Sequence, residues 1–330
     1  MSSQGLPPFP TGWFVIAFSA DLTPGAVLTT RFCGRELVVF RTGAGQPAVL
    51  DAYCPHLGAH LGKGTVCDEG IRCPFHGWLW SSQGRCIEMP YGGRISPGAK
   101  TRSWPVAEQD DVVLVWNDVD EPTWTMPSFS DHQWSAPRRM RRTIHSHPQE
   151  ILENTADLAH FRFVHGTHPM KVTARAAAAG PRFEVKIESD PDAVREPFRL
   201  GADTLQLSGS AFCHGPGLAA ATIGLPDVFS GLQRLYATPV DGAQIDLRGM
   251  VNLEIVDDND TGEEFLGVIA DAVINEWDND IAIWESKRYL PKPLVNRAET
   301  LIPDYRRWYQ QFYQPDSSRA EHQHSLIDIA

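Results

Sequence analysis

Two short cysteine–histidine runs near the N-terminus determine how this sequence is interpreted. Residues 53–60 read YCPHLGAH and residues 73–78 read CPFHGW, which puts Cys54 two positions before His56 and Cys73 three before His76. Two thiolates and two imidazoles can hold a tetrahedral zinc ion. They can also hold a [2Fe–2S] cluster, with both cysteines on one iron and both histidines on the other. The spacing alone leaves both possibilities open.

The residues beside these ligands favour the cluster. Pro55 and Pro74 follow the two cysteines directly and restrict the backbone, so each loop presents its ligands rigidly. Gly58 and Gly77 let backbone N–H groups come close to sulfur, and such contacts tune the potential of a cluster. A zinc site does not need glycines at both loops to bring N–H groups close to sulfur.

The sequence around the two runs has the pattern of an all-β domain. Short apolar or alternating stretches, separated by Gly, Pro, Asp and Asn, predict strands; they are WFVIAF, AVLTTRF, RELVVFR, PAVLDAY, WLWSSQGRCIEM and DDVVLVW. The chain also contains 27 glycines and 25 prolines, which favours many turns. We therefore predict an N-terminal tail over residues 1–11 and an all-β domain over residues 12–120.

A second domain of different character follows. Residues 118–137 are rich in Pro, Asp and Ser and lack a periodic pattern, so the boundary is placed there. A helical stretch at 147–165 is followed by strand patterns at 182–189, 204–214 and 247–258 and by a long helical pattern at 263–289. This order predicts an α+β domain over 121–315, in which an antiparallel sheet packs on a long C-terminal helix. Residues 316–330 form a polar tail.

A second metal-binding pattern lies in the helical stretch. Asn154, Asp157, His160 and His165 form N-x-x-D-x-x-H-x-x-x-x-H. On a helix the first three share one face. His165 lies off that face, so the helix either deforms near Phe163 or ends before His165. Two imidazoles placed in this way suit a mononuclear Fe(II) if a carboxylate completes the set.

Two aspartates on the long C-terminal helix are candidates for that carboxylate. Asp280 lies three residues after Trp277 and four before Trp284, so it points with their apolar stripe, whereas Asp278 points away from it. An ionised carboxylate is seldom buried unless it is paired or binds a metal. We therefore predict Asp280 as the ligand, with Asp278 as the alternative.

Together these motifs resemble the Rieske non-haem iron oxygenases, from about residue 12 to residue 315. The resemblance implies a Rieske [2Fe–2S] cluster held by Cys54, His56, Cys73 and His76, and a mononuclear iron held by His160, His165 and Asp280. It also implies a helix-grip (START-like) catalytic domain and a homotrimer. Asp157 would then link His160 to a cluster histidine of the next subunit, and Asn154 would lie near the iron without binding it.

The finer resemblance is to the sterol- and steroid-acting branch. The stretches DAYCPHLGAHLGKG, QEILENTADLAHF and DNDIAIWESKRYLPKPL are similar to 3-ketosteroid 9α-hydroxylases and cholesterol 7-desaturases. We expect O2-dependent hydroxylation, desaturation or oxidative demethylation of a hydrophobic sterol or steroid. The apolar stretch 211–226 either lines the pocket or forms a core strand. The alternative substrate is a small aromatic or natural-product intermediate. A pure electron carrier would leave the second motif unexplained, and a lipid carrier would leave the cluster unexplained.

The composition limits the kinds of partner that this protein is expected to bind. The formal net charge of −12 argues against nucleic acid and against an anionic membrane surface. The chain has no GxGxxG signal and no plant-type ferredoxin motif, so we expect an NAD(P)H-dependent reductase, with or without a ferredoxin, as electron source. The segment MSSQGLPPFP has no basic n-region, so we expect a cytoplasmic protein.

Overall fold

The structure is a computed structural model, and it describes residues 5–130, 134–167, 169–175, 178, 180–190, 207–225, 229–254, 260–297 and 299–313. The predicted tail over 316–330 and residues 1–4 of the N-terminal tail lie outside these ranges. The chain divides into two compact units, one of which contains residues 13–129 and 238–242. The predicted boundary near residue 120 stays a prediction.

The first unit consists of three small sheets. Their strand orders are β1-β10-β9, β2-β3-β4 and β5-β6-β7-β8. The strands are β1 (Gly12–Phe18), β2 (Val27–Phe32), β3 (Arg35–Arg41), β4 (Pro47–Asp51), β5 (Thr65–Cys67), β6 (Gly70–Arg72), β7 (Leu79–Ser81), β8 (Cys86–Glu88), β9 (Val106–Gln109) and β10 (Val112–Asn117). Single 3-10 turns occur at Ser19–Asp21 and Leu61–Lys63.

The two cysteine loops come from different sheets of this unit. The first follows β4, and the second connects β6 to β7. Cys54, Cys73 and Trp80 belong to one buried cluster with aliphatic side chains of β3 and β4. Burial of these apolar side chains holds the loops side by side, so the packing of the unit positions the first candidate site.

Residues 238–242 return to this unit from far along the chain. Pro239 O accepts a hydrogen bond from Cys33 N at 2.9 Å, and Val240 O accepts one from Gly34 N at 2.9 Å. Thr238 Oγ1 donates to Val15 O at 2.6 Å. The first two contacts satisfy backbone groups at the β2–β3 turn, where Cys33 and Gly34 both have positive φ, and the third satisfies a carbonyl of β1.

The second unit is built on a seven-stranded sheet of order β11-β17-β16-β15-β14-β13-β12. Its strands are β11 (Arg138–His145), β12 (Met170–Arg175), β13 (Arg182–Ser189), β14 (Ser208–His214), β15 (Leu218–Leu225), β16 (Phe229–Pro239) and β17 (Gln244–Leu253). Its helices are α1 (Pro148–Leu152), α2 (His160–Val164), α3 (Asp260–Ser286) and α4 (Leu301–Tyr309). Further 3-10 turns occur at Glu153–Thr155 and Gln310–Phe312.

The long helix α3 lies against β11 and β17. Gly249 on β17 lets it approach, because a Cβ atom at that position would collide with the ring of Trp277. An antiparallel sheet packed on a long C-terminal helix, after an all-β domain, confirms the predicted α+β fold class. Within the described residues, no helix combines the length and apolar character that a membrane span requires.

Some local predictions need correction. The helical stretch at 147–165 is not one helix but α1, a 3-10 turn and α2, with residues 156–159 outside any helix. Strands β12 and β16 were not predicted. The basic run 138–142 lies in β11, where Arg138 contacts Asp271 and Arg142 contacts Asp278 of α3, at 3.4 and 3.7 Å. The side chains of these two arginines are about half exposed.

Candidate iron centres

The two cysteine loops have the same backbone turn. Gly58 N donates to Cys54 O at 2.9 Å, and Gly77 N donates to Cys73 O at 3.1 Å. Both glycines have positive φ, +74° and +71°, which strains any residue with a Cβ atom. The Cys-Pro-x-x-Gly pattern therefore encodes the same turn twice, and each turn contains one of the two histidines.

The predicted cluster ligands of the two loops lie in pairs, with Cys54 beside Cys73 and His56 beside His76. Cys54 and Cys73 are buried and free, while His56 and His76 are half-buried with ring centroids 4.6 Å apart. Trp78 stacks on His56 at 4.4 Å between centroids. The sulfur ligands thus face the core and the imidazoles face the surface, an arrangement that suits a cluster with two different iron atoms.

The surroundings of the thiols fit a cluster. Burial raises the pKa of the Cys54 thiol, and the neighbouring Cys73 thiol adds to the rise. Two thiolates in this place therefore require nearby positive charge, which iron supplies. Among the described residues, the buried indole Nε1–H of Trp80 has no hydrogen-bond partner, yet it lies near enough to Cys54 to lower the pKa of that thiol. It is available to a sulfur acceptor.

The second candidate centre lies in the other unit. One ligand atom each from His160, His165 and Asp280 lies within 4.8 Å of the others, and we call these residues the triad. His160 is the first residue of α2 and His165 the first after it, so the helix ends before His165, which was one of the two predicted alternatives. His165 Nε2 lies 3.4 Å from Asp280 Oδ2.

Asp280 projects from α3 into this centre. It is only 6% exposed, whereas the Asp278 side chain is 54% exposed and points to Arg142. Asn154 Nδ2 donates to Asp280 Oδ1 at 3.1 Å, and Trp284 Nε1 donates to Asn154 Oδ1 at 3.3 Å. Asn154 therefore orients the buried carboxylate.

The triad has the charge pattern of a metal site. Burial lowers the pKa of His160, although the Asp280 and Asp157 carboxylates oppose the effect. Burial alone would also lower the pKa of His165, but its hydrogen bonds to Asp280 and Glu276 outweigh this and raise it. Two imidazoles and one carboxylate are the donor set that binds non-haem Fe(II) with open positions. The residues present therefore fit a mononuclear iron.

Glu276 is a residue that the sequence interpretation missed. Its Oε2 lies 3.2 Å from His165 Nδ1, so it can fix the ring with Nε2 directed at the centre. Glu276 lies four residues before Asp280, one helical turn away on the same face of α3. That spacing was the available signal.

Asp157 is held mainly by its own turn. Its carbonyl O contacts His160 Nδ1, and its carboxylate Oδ1 accepts from Ala159 N at 3.1 Å. Within one chain it is therefore the backbone, not the carboxylate, that orients His160. The predicted link to another subunit stays a prediction.

A mainly apolar cavity of about 220 Å³ reaches the triad. Its apolar lining from the helical side includes Ile151, Leu158, Phe161, Val273, Trp277 and Trp284. Its lining from the sheet includes Ile187, Ala211, Ala219, Ala220, Ala221, Ile223 and Leu235. Residues 211–225 of the predicted stretch 211–226 thus contribute both strand residues and part of the pocket wall, and residue 226 lies outside the described residues. Such a cavity can bind an apolar molecule beside the candidate iron.

Comparison with known proteins agrees with this geometry. The Rieske [2Fe-2S] domain family matches residues 12–105, and the 3-ketosteroid 9alpha-hydroxylase C-terminal domain family matches residues 115–313. The fold and the two centres define a Rieske oxygenase, whose cofactors are a [2Fe–2S] cluster and a mononuclear iron. Within that class, the chain belongs to the family that carries the 3-ketosteroid 9α-hydroxylase C-terminal domain.

Individual relatives cover nearly the whole chain. Cholesterol 7-desaturase nvd 1 of Ciona intestinalis is 32% identical over 95% of this chain and 71% of its own length. The oxygenase component of 3-ketosteroid-9-alpha-monooxygenase from Rhodococcus rhodochrous is 29% identical over 92% of this chain and 84% of its own. Apo dicamba monooxygenase has the same fold, with a TM-score of 0.72 at 19% identity over 95% of this chain and 100% of that one. The predicted family and enzyme class are confirmed.

Proposed function

We propose that this protein is the terminal oxygenase component of a system that oxidises a sterol or steroid with O2. The observation that carries the proposal is the mainly apolar cavity that ends at the triad. An elongated polycyclic molecule is bound through apolar contact, and few polar groups are needed to orient it. The names of the relatives, a cholesterol desaturase and a ketosteroid monooxygenase, support the same substrate class.

In this proposal each predicted ligand has one role. Cys54 and Cys73 hold one iron of the cluster, His56 and His76 hold the other, and the triad holds the mononuclear iron. The bound irons supply single-electron transfer and O2 activation. Asn154 orients Asp280, and Glu276 orients His165. Trp277 and Trp284 form part of the apolar wall that keeps water away from the substrate.

Electrons come from outside the chain. A separate NAD(P)H-dependent reductase, directly or through a ferredoxin, reduces the cluster, since this sequence contains no nucleotide-binding signal of its own. In a homotrimer in the cytoplasm, Asp157 would hydrogen-bond His160 to His76 of the partner subunit. The carbonyl O of Asp157 contacts His160 Nδ1, which leaves its carboxylate to accept a hydrogen bond from the partner's imidazole.

The test is product formation by the purified protein with a surrogate reductase, NADH and O2. Sterols, 3-ketosteroids and small aromatics are compared in parallel by mass spectrometry. A sterol or steroid product supports the proposal, and its mass shift separates hydroxylation from desaturation and demethylation. Turnover of the aromatics alone would contradict the substrate class and leave the oxygenase assignment in place.

A further inference from the structure

Among the described residues that line the cavity, one polar side chain has no hydrogen-bond partner within the described part of the chain. Outside the triad, the polar side chains that line it are Asn154, Thr155, Thr167, Gln233 and Glu276. Four of them hydrogen-bond other groups: Asn154 bonds Asp280 and Trp284, Thr155 accepts from Cys213 Sγ, Thr167 donates to Phe161 O, and Glu276 bonds His165. Among the described residues, Gln233 has no hydrogen-bond partner for its side-chain amide.

The strand register explains why Gln233 faces the cavity. It lies on β16 opposite Ala221 of β15, and Leu235, two residues on, lies opposite Ala219. All four residues line the cavity, because side chains two apart on a strand share a face. The intervening Arg234 is 3% exposed and donates to Asn252 Oδ1 at 2.6 Å. Gln233 therefore lies on a floor of small and aliphatic side chains.

An amide in this position is suited to bind one oxygen atom of a ligand. Its NH2 group donates to a carbonyl, and its C=O group accepts from a hydroxyl. The amide is half-buried and not shut off from water, so a ligand oxygen that binds it replaces water and adds the net free energy of one hydrogen bond. Gln233 and the triad line the same cavity, so an oxygen held at Gln233 fixes one point of the ligand relative to the candidate iron.

We infer that Gln233 binds the single oxygen substituent of a polycyclic substrate and so determines which carbon faces the triad. The inference rests on the proposed function, which it makes more specific. It assigns the substrate class as rigid apolar ring systems with a hydroxyl or ketone remote from the oxidised carbon. The small side chains Ala219 and Ala221 beside the amide leave room for the flat face of such rings.

The test compares ligands that differ only in that oxygen. Cholesterol is paired with cholest-5-ene, and a 3-ketosteroid with its 3-deoxy analogue. Dissociation constants are measured by equilibrium dialysis on the iron-loaded protein without reductant, so that no turnover occurs. For at least one pair, the wild type should bind the oxygenated ligand about tenfold more tightly, which is the size of one net hydrogen bond. Gln233→Met should reduce that ratio to below about twofold.

Gln244→Met is the matched control, because it makes the same substitution on β17 of the same sheet, at a half-buried residue that does not line the cavity, and it should keep the tenfold ratio. Gln233→Leu is measured in parallel, in case the methionine variant does not fold. A Gln233 variant that keeps the wild-type ratio would overturn the inference, and so would a wild type that binds both members of each pair equally. Failure of the wild type to bind any sterol or steroid would instead contradict the proposed function.

The position of oxidation is a second readout. If Gln233 sets the orientation, Gln233→Met should yield products oxidised at more than one carbon, whereas Gln244→Met, outside the cavity, should yield the wild-type product. An unchanged single product from Gln233→Met would count against the positioning role even if affinity falls.

Discussion

Replacing Asp280 with alanine should remove the mononuclear iron and leave the cluster intact. The triad offers three donor atoms within 4.8 Å, and Asp280 supplies the only carboxylate among them. Loss of an outer partner of a metal ligand typically lowers affinity about 10- to 100-fold. Loss of the ligand itself should lower the affinity for iron by more than about 100-fold, which corresponds to about 2.7 kcal/mol of binding free energy. Iron should therefore fall from about three to about two atoms per chain, the two that belong to the cluster.

The assay is chemical determination of iron and acid-labile sulfide per chain, with the EPR spectrum of the reduced cluster recorded on the same samples. Asp278→Ala is the matched control. The Asp278 side chain is 54% exposed and lies 3.7 Å from Arg142, so removing this ion pair should lower the free energy of unfolding by no more than about 1 kcal/mol. This control should keep about three irons. Full iron in Asp280→Ala, or a lost iron in Asp278→Ala, would refute the choice of ligand.

Three further predictions concern side chains around the two centres and one buried histidine. Trp80→Phe removes the free indole N–H beside Cys54. The reduction potential of the cluster should then fall by about 40 mV, which is the one-electron equivalent of about 1 kcal/mol. An unchanged potential in voltammetry would contradict this prediction. Glu276→Leu should weaken metal binding at the triad about 10- to 100-fold, because His165 loses the partner of its Nδ1. The spectrum of the cluster should stay the same. Titration of the metal-free triad with Co(II) measures the change in affinity. Burial lowers the pKa of His147 to about 4, so the unfolded chain takes up this proton near pH 6.5 before the folded one does. The unfolding free energy should then drop by about 3 kcal/mol as the pH falls from about 6.5 to about 4. His147→Asn, which keeps an N-cap acceptor for Gln149 N, should have a correspondingly smaller drop in denaturant melts.

The cysteine loops could be predicted because their information is local. Each cysteine, proline, histidine and glycine lies within five residues of the chain, and the positive φ of Gly58 and Gly77 closes the same turn twice. His160 and His165 were recognisable for the same reason. Their helix was predicted less well: Asp157 caps its own turn through the bond from Ala159 N, which competes with a continuous helix.

Contacts between distant segments were harder to predict. Asn154 and Asp280 are 126 positions apart, and only the packing of α3 on the sheet brings them within hydrogen-bond distance. Asp280 could be chosen from the apolar stripe on its helix. Glu276 could not be singled out in the same way, because half of its side chain is exposed and many surface glutamates have the same spacing.

The sequence by itself determined the class of this protein, its two centres and its all-β and α+β halves, since those features depend on ligand types, short spacings and hydrophobic periods. Only the tertiary structure decided what surrounds the second centre. Strand β16 has a weak alternation and was not predicted, yet its register places Gln233 in the cavity and Arg234 behind the sheet. A slip of one residue would exchange the two, because successive side chains on a strand point to opposite faces. That choice is made by the pairing of β16 with β15, a property of the whole sheet.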